Sequence, residues 1–262
     1  MSKKKIRFTK NRKTSTAKFE KQDGVNVKCH LGNETVNGLG AGDTFYIHDF
    51  IDREKADQVF KNLVREIDFI PMFNLSADLD NAIPIPRLVS AQTSKNGDGE
   101  AMYRMPGCNQ SNIRTEAWTP TVQEVCAKAE EVIGIEFNHA VCSLFRDQND
   151  SLGFHKDKMI DLADRSLILS LSFGAARPML IEEVDGKRKH TIVLQPGSLL
   201  AIGPETNDLF VHAIPKLREP VGPRISLSVR QSSTFVDQSN GQLTGKGAEY
   251  QTKNYPLSLI HI

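Results

Sequence analysis

The sequence predicts an α+β fold, with helices packed outside a β-sandwich or jelly roll. Two amphipathic helical patterns occupy the first half of the chain. After Gly134 the apolar period changes from that of a helix to two, and a run of short strand patterns follows. The length of 262 residues, 39% hydrophobic and 25% charged, allows one large domain with a sizeable core and excludes wholesale disorder.

Residues 1–42 are polar, contain glycine and lack sustained periodicity, which predicts a flexible arm. Order is expected from Thr44-Phe45-Tyr46-Ile47, a short strand, opening a domain over 43–235. Asp52 then offers an N-cap. Ala56, Val59, Phe60, Leu63, Val64 and Ile67 recur at helical spacing, predicting a helix over 53–67. Over 70–117 the prolines at 71, 84, 86 and 106 and the Lys95-Asn96-Gly97-Asp98-Gly99 cluster break long elements, leaving short strands near 86–92 and 101–105. Thr119 caps a second helix, with Pro120 in its first turn, and Val122, Val125, Cys126, Ala129, Val132 and Ile133 form its apolar stripe. Gly134 ends it.

Beyond Gly134, strands are predicted over 137–145, 167–173, 178–184, 190–194, 198–202 and 224–230. Asp185-Gly186 marks a hairpin and Pro196-Gly197 a tight turn. Residues 236–262 are polar and predict a loose tail.

Residues 1–22 hold nine bases and one acid, a net +8 against +1 for the whole chain, which leaves −7 for the rest. A basic arm on a mildly acidic body suits a polyanion clamp, an import patch or a solvated extension. No apolar run reaches membrane-span length, the start lacks a secretory-signal core, and Cys29, Cys108, Cys126 and Cys142 form no CxxC pair. The expectation is a monomer inside the cell, in nucleus or cytoplasm, with reduced thiols.

The chemistry begins at His155-Lys156-Asp157. Side chains two apart on a strand share a face, so His155 and Asp157 can aim at one point. His212 ends a later apolar stretch. Two histidines and one carboxylate can hold one face of an octahedral Fe(II) and leave three positions open. Over 224–230, Ile225, Leu227 and Val229 form one face, and Arg224, Ser226, Ser228 and Arg230 the other. The two guanidiniums lie roughly 20 Å apart along the strand. They suit a dicarboxylate, because each can form a forked pair with a carboxylate.

His155-x-Asp157, His212 and Arg224-x5-Arg230 resemble the AlkB-like Fe(II)/2-oxoglutarate dioxygenases. Further landmarks follow in the family's order over about 44–235. They are Pro86-Arg87-Leu88, Tyr103 with Pro106-Gly107, Trp118-Thr119-Pro120, Phe137-Asn138, Asp150-Ser151-Leu152-Gly153-Phe154-His155, Leu171-Ser172-Phe173-Gly174 and Leu194-x-Pro196-Gly197-Ser198. The resemblance implies a double-stranded β-helix, the cofactors Fe(II), 2-oxoglutarate and O2, and ascorbate as a candidate reductant. It also implies oxidative removal of N-linked alkyl groups from bases of DNA or RNA, releasing aldehyde, succinate and CO2. On this resemblance His155, Asp157 and His212 hold iron. Arg224 pairs with the far C5 carboxylate, and Arg230 lies nearer the C1 end.

Four positions depart from the family pattern. Ser143-Leu144-Phe145 stands where the family usually has Asn-x-Tyr, and Ser226 where Asn is frequent. Ser143 and Ser226 keep hydrogen-bonding capacity toward the cosubstrate and Phe145 has none, which predicts either weaker 2-oxoglutarate binding in a titration or water molecules filling the gaps. Met159 replaces an acidic residue that contacts the base in several relatives. Phe154 and Tyr103 are candidate base-stacking groups, Met159 a candidate pocket wall, and Arg104 and Arg114 candidate phosphate contacts; Lys187-Arg188-Lys189 is a charged turn that can do the same. Two other functions remain: the same cofactor chemistry on a protein or small molecule, and a silent nucleic-acid-binding module.

Overall fold

The computed structural model describes residues 35–75, 82–96, 99–105 and 115–250. The basic arm over 1–22, Cys29, Cys108, Pro106-Gly107, Arg114 and residues 251–262 lie outside them. In chain order the elements are β1 (Thr35–Leu39), β2 (Thr44–Ile47), α1 (Arg53–Glu66), β3 (Ile70–Leu75), β4 (Ala82–Thr93), β5 (Lys95–Asn96), β6 (Gly99–Ala101), β7 (Thr115–Ala117) and α2 (Pro120–Ile133). Then come β8 (His139–Phe145), β9 (Leu152–His155), β10 (Ile168–Gly174), β11 (Arg177–Glu183), β12 (Lys189–Leu194), β13 (Leu199–Ile202) and α3 (Pro204–Leu209). The last are β14 (Phe210–Ile214), β15 (Arg224–Arg230), β16 (Thr234–Val236), β17 (Leu243–Gly245) and a 3-10 turn at Ala248–Tyr250.

A major sheet runs β1-β2-β13-β10-β15-β8-β4-β3, with β7 added beside β4, and a minor sheet runs β12-β11-β14-β9. Apart from the parallel β4–β7 pair, both are antiparallel. Helices α1 and α2 cover the outer face of the major sheet. Ala56, Val59 and Leu63 of α1 and Val122, Val125, Cys126, Ala129 and Ile133 of α2 pack there against Ile225, Leu227, Val229, Leu169 and Leu171. Each fully buried Val, Leu or Ile of this layer contributes roughly 1.5–3 kcal/mol. The opposite face meets the minor sheet, where Val89, Val141, Phe145, Ile168 and Leu200 pack with Met179, Ile181, Phe210 and Ile214. The polar face of β15 is thus turned between the sheets, not into water. That is the jelly-roll arrangement, with the helices outside.

Local chemistry explains the element ends. The Asp52 carboxylate accepts the Lys55 N–H at 2.9 Å and opens α1. Thr119 caps α2, Pro120 starts it, and Gly134 closes it at φ 76°. The Glu66 carboxylate at the end of α1 accepts from the Thr121 N–H and hydroxyl, at 2.9 and 2.7 Å, and so joins the two helices. Gly197 turns at φ 81°, and a Cβ there would lie 2.1 Å from the Ile51 carbonyl oxygen, so only glycine fits the predicted Pro196-Gly197 turn.

Four expectations need correction. A strand, β1, already precedes Thr44 among the described residues, pairing with β2 (Thr35↔Ile47) although most of its residues are exposed. Strand β4 runs through Pro84 and Pro86. The partner strand β8 meets only its Leu88–Thr93 part, so both prolines sit where one side of β4 lacks that ladder. The strand expected over 101–105 ends at Ala101. Of the tail expected to be loose from 236, the described part instead folds back, β17 pairing with β16 (Val236↔Leu243). Among the described residues, no helix is long and apolar enough to cross a membrane.

Candidate metal centre and cosubstrate cavity

Strands β9 and β14 pair with His155 directly opposite His212, which sets the two imidazoles side by side with centroids 4.2 Å apart. The Nδ1–H of His155 donates to the Gly153 carbonyl at 3.0 Å, leaving Nε2 as the free lone pair. Burial lowers the pKa of both rings. That of His212 falls to about 3, with His155 as a second cause, and the Asp157 charge only partly opposes the shifts. Both imidazoles are therefore neutral at physiological pH, the form that binds metal.

Asp157 does not continue the strand, as its spacing from His155 suggested, because β9 ends at His155. Its backbone is held by Asn207 of α3. The Asp157 N–H donates to Oδ1 of Asn207, and Nδ2 of Asn207 donates to the Asp157 carbonyl, both at 2.9 Å. Its carboxylate Oδ1 accepts from the Tyr103 hydroxyl at 2.7 Å and from Nη2 of Arg230. Its Oδ2 lies 3.7 Å from Nε2 of His212. Burial alone would raise this carboxyl's pKa. Arg230, the two histidines and the Tyr103 bond outweigh burial and hold it well below the usual carboxylate range. One ligand atom from each of His155, Asp157 and His212 lies within 4.8 Å of the others. Two neutral imidazoles and one carboxylate form the donor set suited to non-haem Fe(II).

At the other end of β15, Arg224 is fully buried. Its Nη2 donates to Ser172 Oγ at 2.9 Å and Ser226 Oγ at 3.2 Å. Its Nε and Nη1 are buried without a hydrogen-bond partner. Burial, reinforced by nearby Arg177, pushes its pKa down to about 9. A guanidinium held half-satisfied in a low-dielectric cavity fits a carboxylate that accepts a forked pair. Phe145 carries two buried guanidiniums near its ring, Arg177 at 5.6 Å and Arg224 at 5.2 Å from the centroid. Ser143 pairs across the ladder with Ser226. Arg230 sits at the metal end, its charge beside Asp157.

The 2OG-Fe(II) oxygenase superfamily matches over residues 43–230. The chain belongs to that superfamily. Mouse DNA oxidative demethylase ALKBH2 is 28% identical over 187 residues, which span 68% of this chain and 76% of the relative. Bovine alpha-ketoglutarate-dependent dioxygenase alkB homolog 3 is 30% identical over 193 residues, spanning 69% of this chain and 63% of the relative. The solved OsALKBH1 structure superposes with a TM-score of 0.45 at 14% identity, over 72% of this chain and 97% of that one. This oxygenase is AlkB-like, and its cofactor set is Fe(II), 2-oxoglutarate and O2.

The expected substrate contacts of the oxygenase fare unevenly. Phe154 is 44% exposed beside His155, open to a planar ligand. Met159 is partly buried against the inter-sheet core. Tyr103 is not an open stacking platform. It is buried, the Arg230 guanidinium covers its ring at 4.2 Å, and its hydroxyl is bonded to Asp157. Arg104 is not on a phosphate-facing surface. It is buried against Asp161, Nη2 to Oδ1 at 2.5 Å, and donates to the Gly247 carbonyl at 2.9 Å. At the β11–β12 hairpin, Lys187, Arg188 and Lys189 pair with Asp185, Glu183 and Glu182.

Asn207 and Arg177 escaped the sequence reading. Arg177 donates to the carbonyls of Asp147, Asp150 and Pro215, at 2.9, 2.8 and 2.6 Å, and so ties the loop before β9 to the chain after β14. Neither residue belongs to a motif. The only available cue was their position, one beginning β11 and the other five residues before His212.

Proposed function

We propose that this oxygenase oxidatively demethylates N-alkylated bases in nucleic acid, releasing aldehyde, succinate and CO2. The observation that carries the reading is the His155–Asp157–His212 cluster, bonded to Arg230 at one end of β15, together with the half-satisfied Arg224 at the other end of the same face of that strand. His155, Asp157 and His212 hold the metal. Arg224, with Ser226 and Ser143 beside it, receives the far carboxylate of 2-oxoglutarate, and Arg230 keeps Asp157 ionised at the metal end. Bound Fe(II) with 2-oxoglutarate and O2 supplies the oxidant that hydroxylates the alkyl carbon. The hydroxylated N-alkyl group is a hemiaminal, which loses aldehyde. Phe154 stacks on the flipped base and Met159 lines its pocket. Relatives named as DNA oxidative demethylases support a nucleic-acid substrate. The protein acts as a monomer inside the cell, in nucleus or cytoplasm.

The test is incubation with Fe(II), 2-oxoglutarate, ascorbate and methylated DNA and RNA oligonucleotides, with succinate and bases followed by mass spectrometry. Demethylated base, lost in His155→Ala, is the expected result. Phe154→Ala should weaken oligonucleotide binding by about 1–3 kcal/mol while leaving 2-oxoglutarate affinity unchanged. Met159, an apolar side chain beside the metal segment, favours a second reading in which a protein or small molecule is oxidised; succinate with unchanged bases would select it. Absence of both products would leave the silent binding module.

A further inference from the structure

We infer that Asn207 is a positioning residue that sets the metal-facing carboxylate by replacing a missing rung of the minor sheet. The inference rests on the metal site proposed above. Strand β9 stops at His155, and its partner β14 begins only at Phe210. On the β9–β14 register Asp157 would face Phe210, the first residue of β14, but the ladder ends at the His155–His212 pair and Asp157 forms no rung there. The Asn207 amide meets the Asp157 backbone instead, accepting from its N–H and donating to its C=O at 2.9 Å each. Two residues directly opposite each other on neighbouring strands exchange the same pair of bonds in a hydrogen-bonded antiparallel rung. The rung fixes φ and ψ around Asp157, and through them the direction of its Cβ.

The amide itself is anchored. Asn207 is buried. Its helix α3 is seated by Asp43, whose carboxylate accepts the Glu205 N–H at 2.8 Å and the Thr206 hydroxyl. Lys156 Nζ adds a second tie to the Asp208 carbonyl. The chain thus runs from the turn between β1 and β2, through α3, to the backbone of one ligand. It involves no contact between Asn207 and the metal-facing atoms.

The test is Mn(II) titration of the full chain, with the apo-protein Tm measured in parallel. Asn207→Ala removes both bonds, and its Mn(II) Kd is expected to rise about 10-fold or more. Asn207→Gln keeps donor and acceptor on a longer arm and is expected to recover part of the loss. Val125→Ala, in the helix layer away from the site, gives a variant of lowered Tm and is expected to bind Mn(II) as the unaltered chain does. Unchanged Mn(II) affinity in Asn207→Ala overturns the inference while leaving the metal-site reading intact. Equal weakening in Val125→Ala also overturns it, because Asn207 would then act through stability alone. Should Asn207→Ala not fold, wild-type affinity in Asn207→Asp, which keeps the acceptor but lacks the donor, overturns it equally. Failure of the unaltered chain to bind Mn(II) takes down the metal-site reading and this inference together.

Discussion

Tyr103 places its hydroxyl 2.7 Å from Oδ1 of Asp157, and Arg230 donates to the same oxygen. Both donors occupy one side of the carboxylate, so Oδ2 is the oxygen left on the side of His212. This selects a one-oxygen ligand. A bond to a charged acceptor is worth about 1.5–3 kcal/mol. Tyr103→Phe keeps the ring beneath the Arg230 guanidinium and removes the hydroxyl, which donates to Asp157 and accepts the Lys158 N–H at 3.2 Å. Its Mn(II) affinity, read by calorimetric titration, is expected to fall roughly 10-fold with little change in Tm.

Arg224 predicts opposite effects on stability and binding. Its unpartnered Nε and Nη1 cost free energy in the empty protein and repay it only when an anion arrives. Arg224→Met should therefore raise the apo Tm while raising the 2-oxoglutarate Kd by about 10–100-fold, equivalent to the 1.5–3 kcal/mol of a charge-assisted contact. Thermal melts and a titration in the presence of Mn(II) check the two signs separately. A variant that loses stability and keeps its affinity would remove Arg224 from the cosubstrate site.

The parts legible in the sequence were those governed by a short repeat or a cap. Asp52, Thr119, Pro120 and Gly134 delimit two helices by local chemistry, and the alternation over 224–230 separates a helix-facing side from a cavity-facing side. The histidines and arginines of the site stand on such elements. What could not be read depends on partners far along the chain. Tyr103 and Arg104 meet Asp157 and Asp161, 54 and 57 residues away, from a region where prolines and glycines mask periodicity. Asn207 belongs to a six-residue helix, too short to show a period. β1 was missed because three of its five residues face solvent and carry no apolar alternation.

His139 gives the apo protein a pH dependence. Burial, with the Arg230 charge nearby, pushes its pKa from 6.5 down to about 3. The folded state keeps the ring neutral, while the unfolded chain takes up a proton below about 6.5. Stability is therefore fully present above that pH and falls as pH drops toward 3, by about 1.4 kcal/mol per pH unit for each such group. Urea midpoints of the apo protein between pH 7 and pH 5 should fall accordingly. His139→Phe is expected to flatten that slope by one group's share, and an unchanged slope would place the acid sensitivity elsewhere.

The Arg104–Asp161 pair explains why the segment after β16 is ordered. Asp161 accepts from both the side chain and the N–H of Arg104, and its own carbonyl accepts the Ser233 N–H at 2.8 Å. Arg104 then reaches Gly247. Removing one partner leaves a buried charge, so Asp161→Asn and Arg104→Met should each cost about 3–5 kcal/mol. Amide hydrogen exchange should rise over 243–250. A double Arg104→Met/Asp161→Leu variant leaves neither charge and is expected to be more stable than either single variant. If Arg104 instead served a phosphate, Arg104→Met would weaken oligonucleotide binding with stability unchanged, and a melt beside a binding curve separates the two.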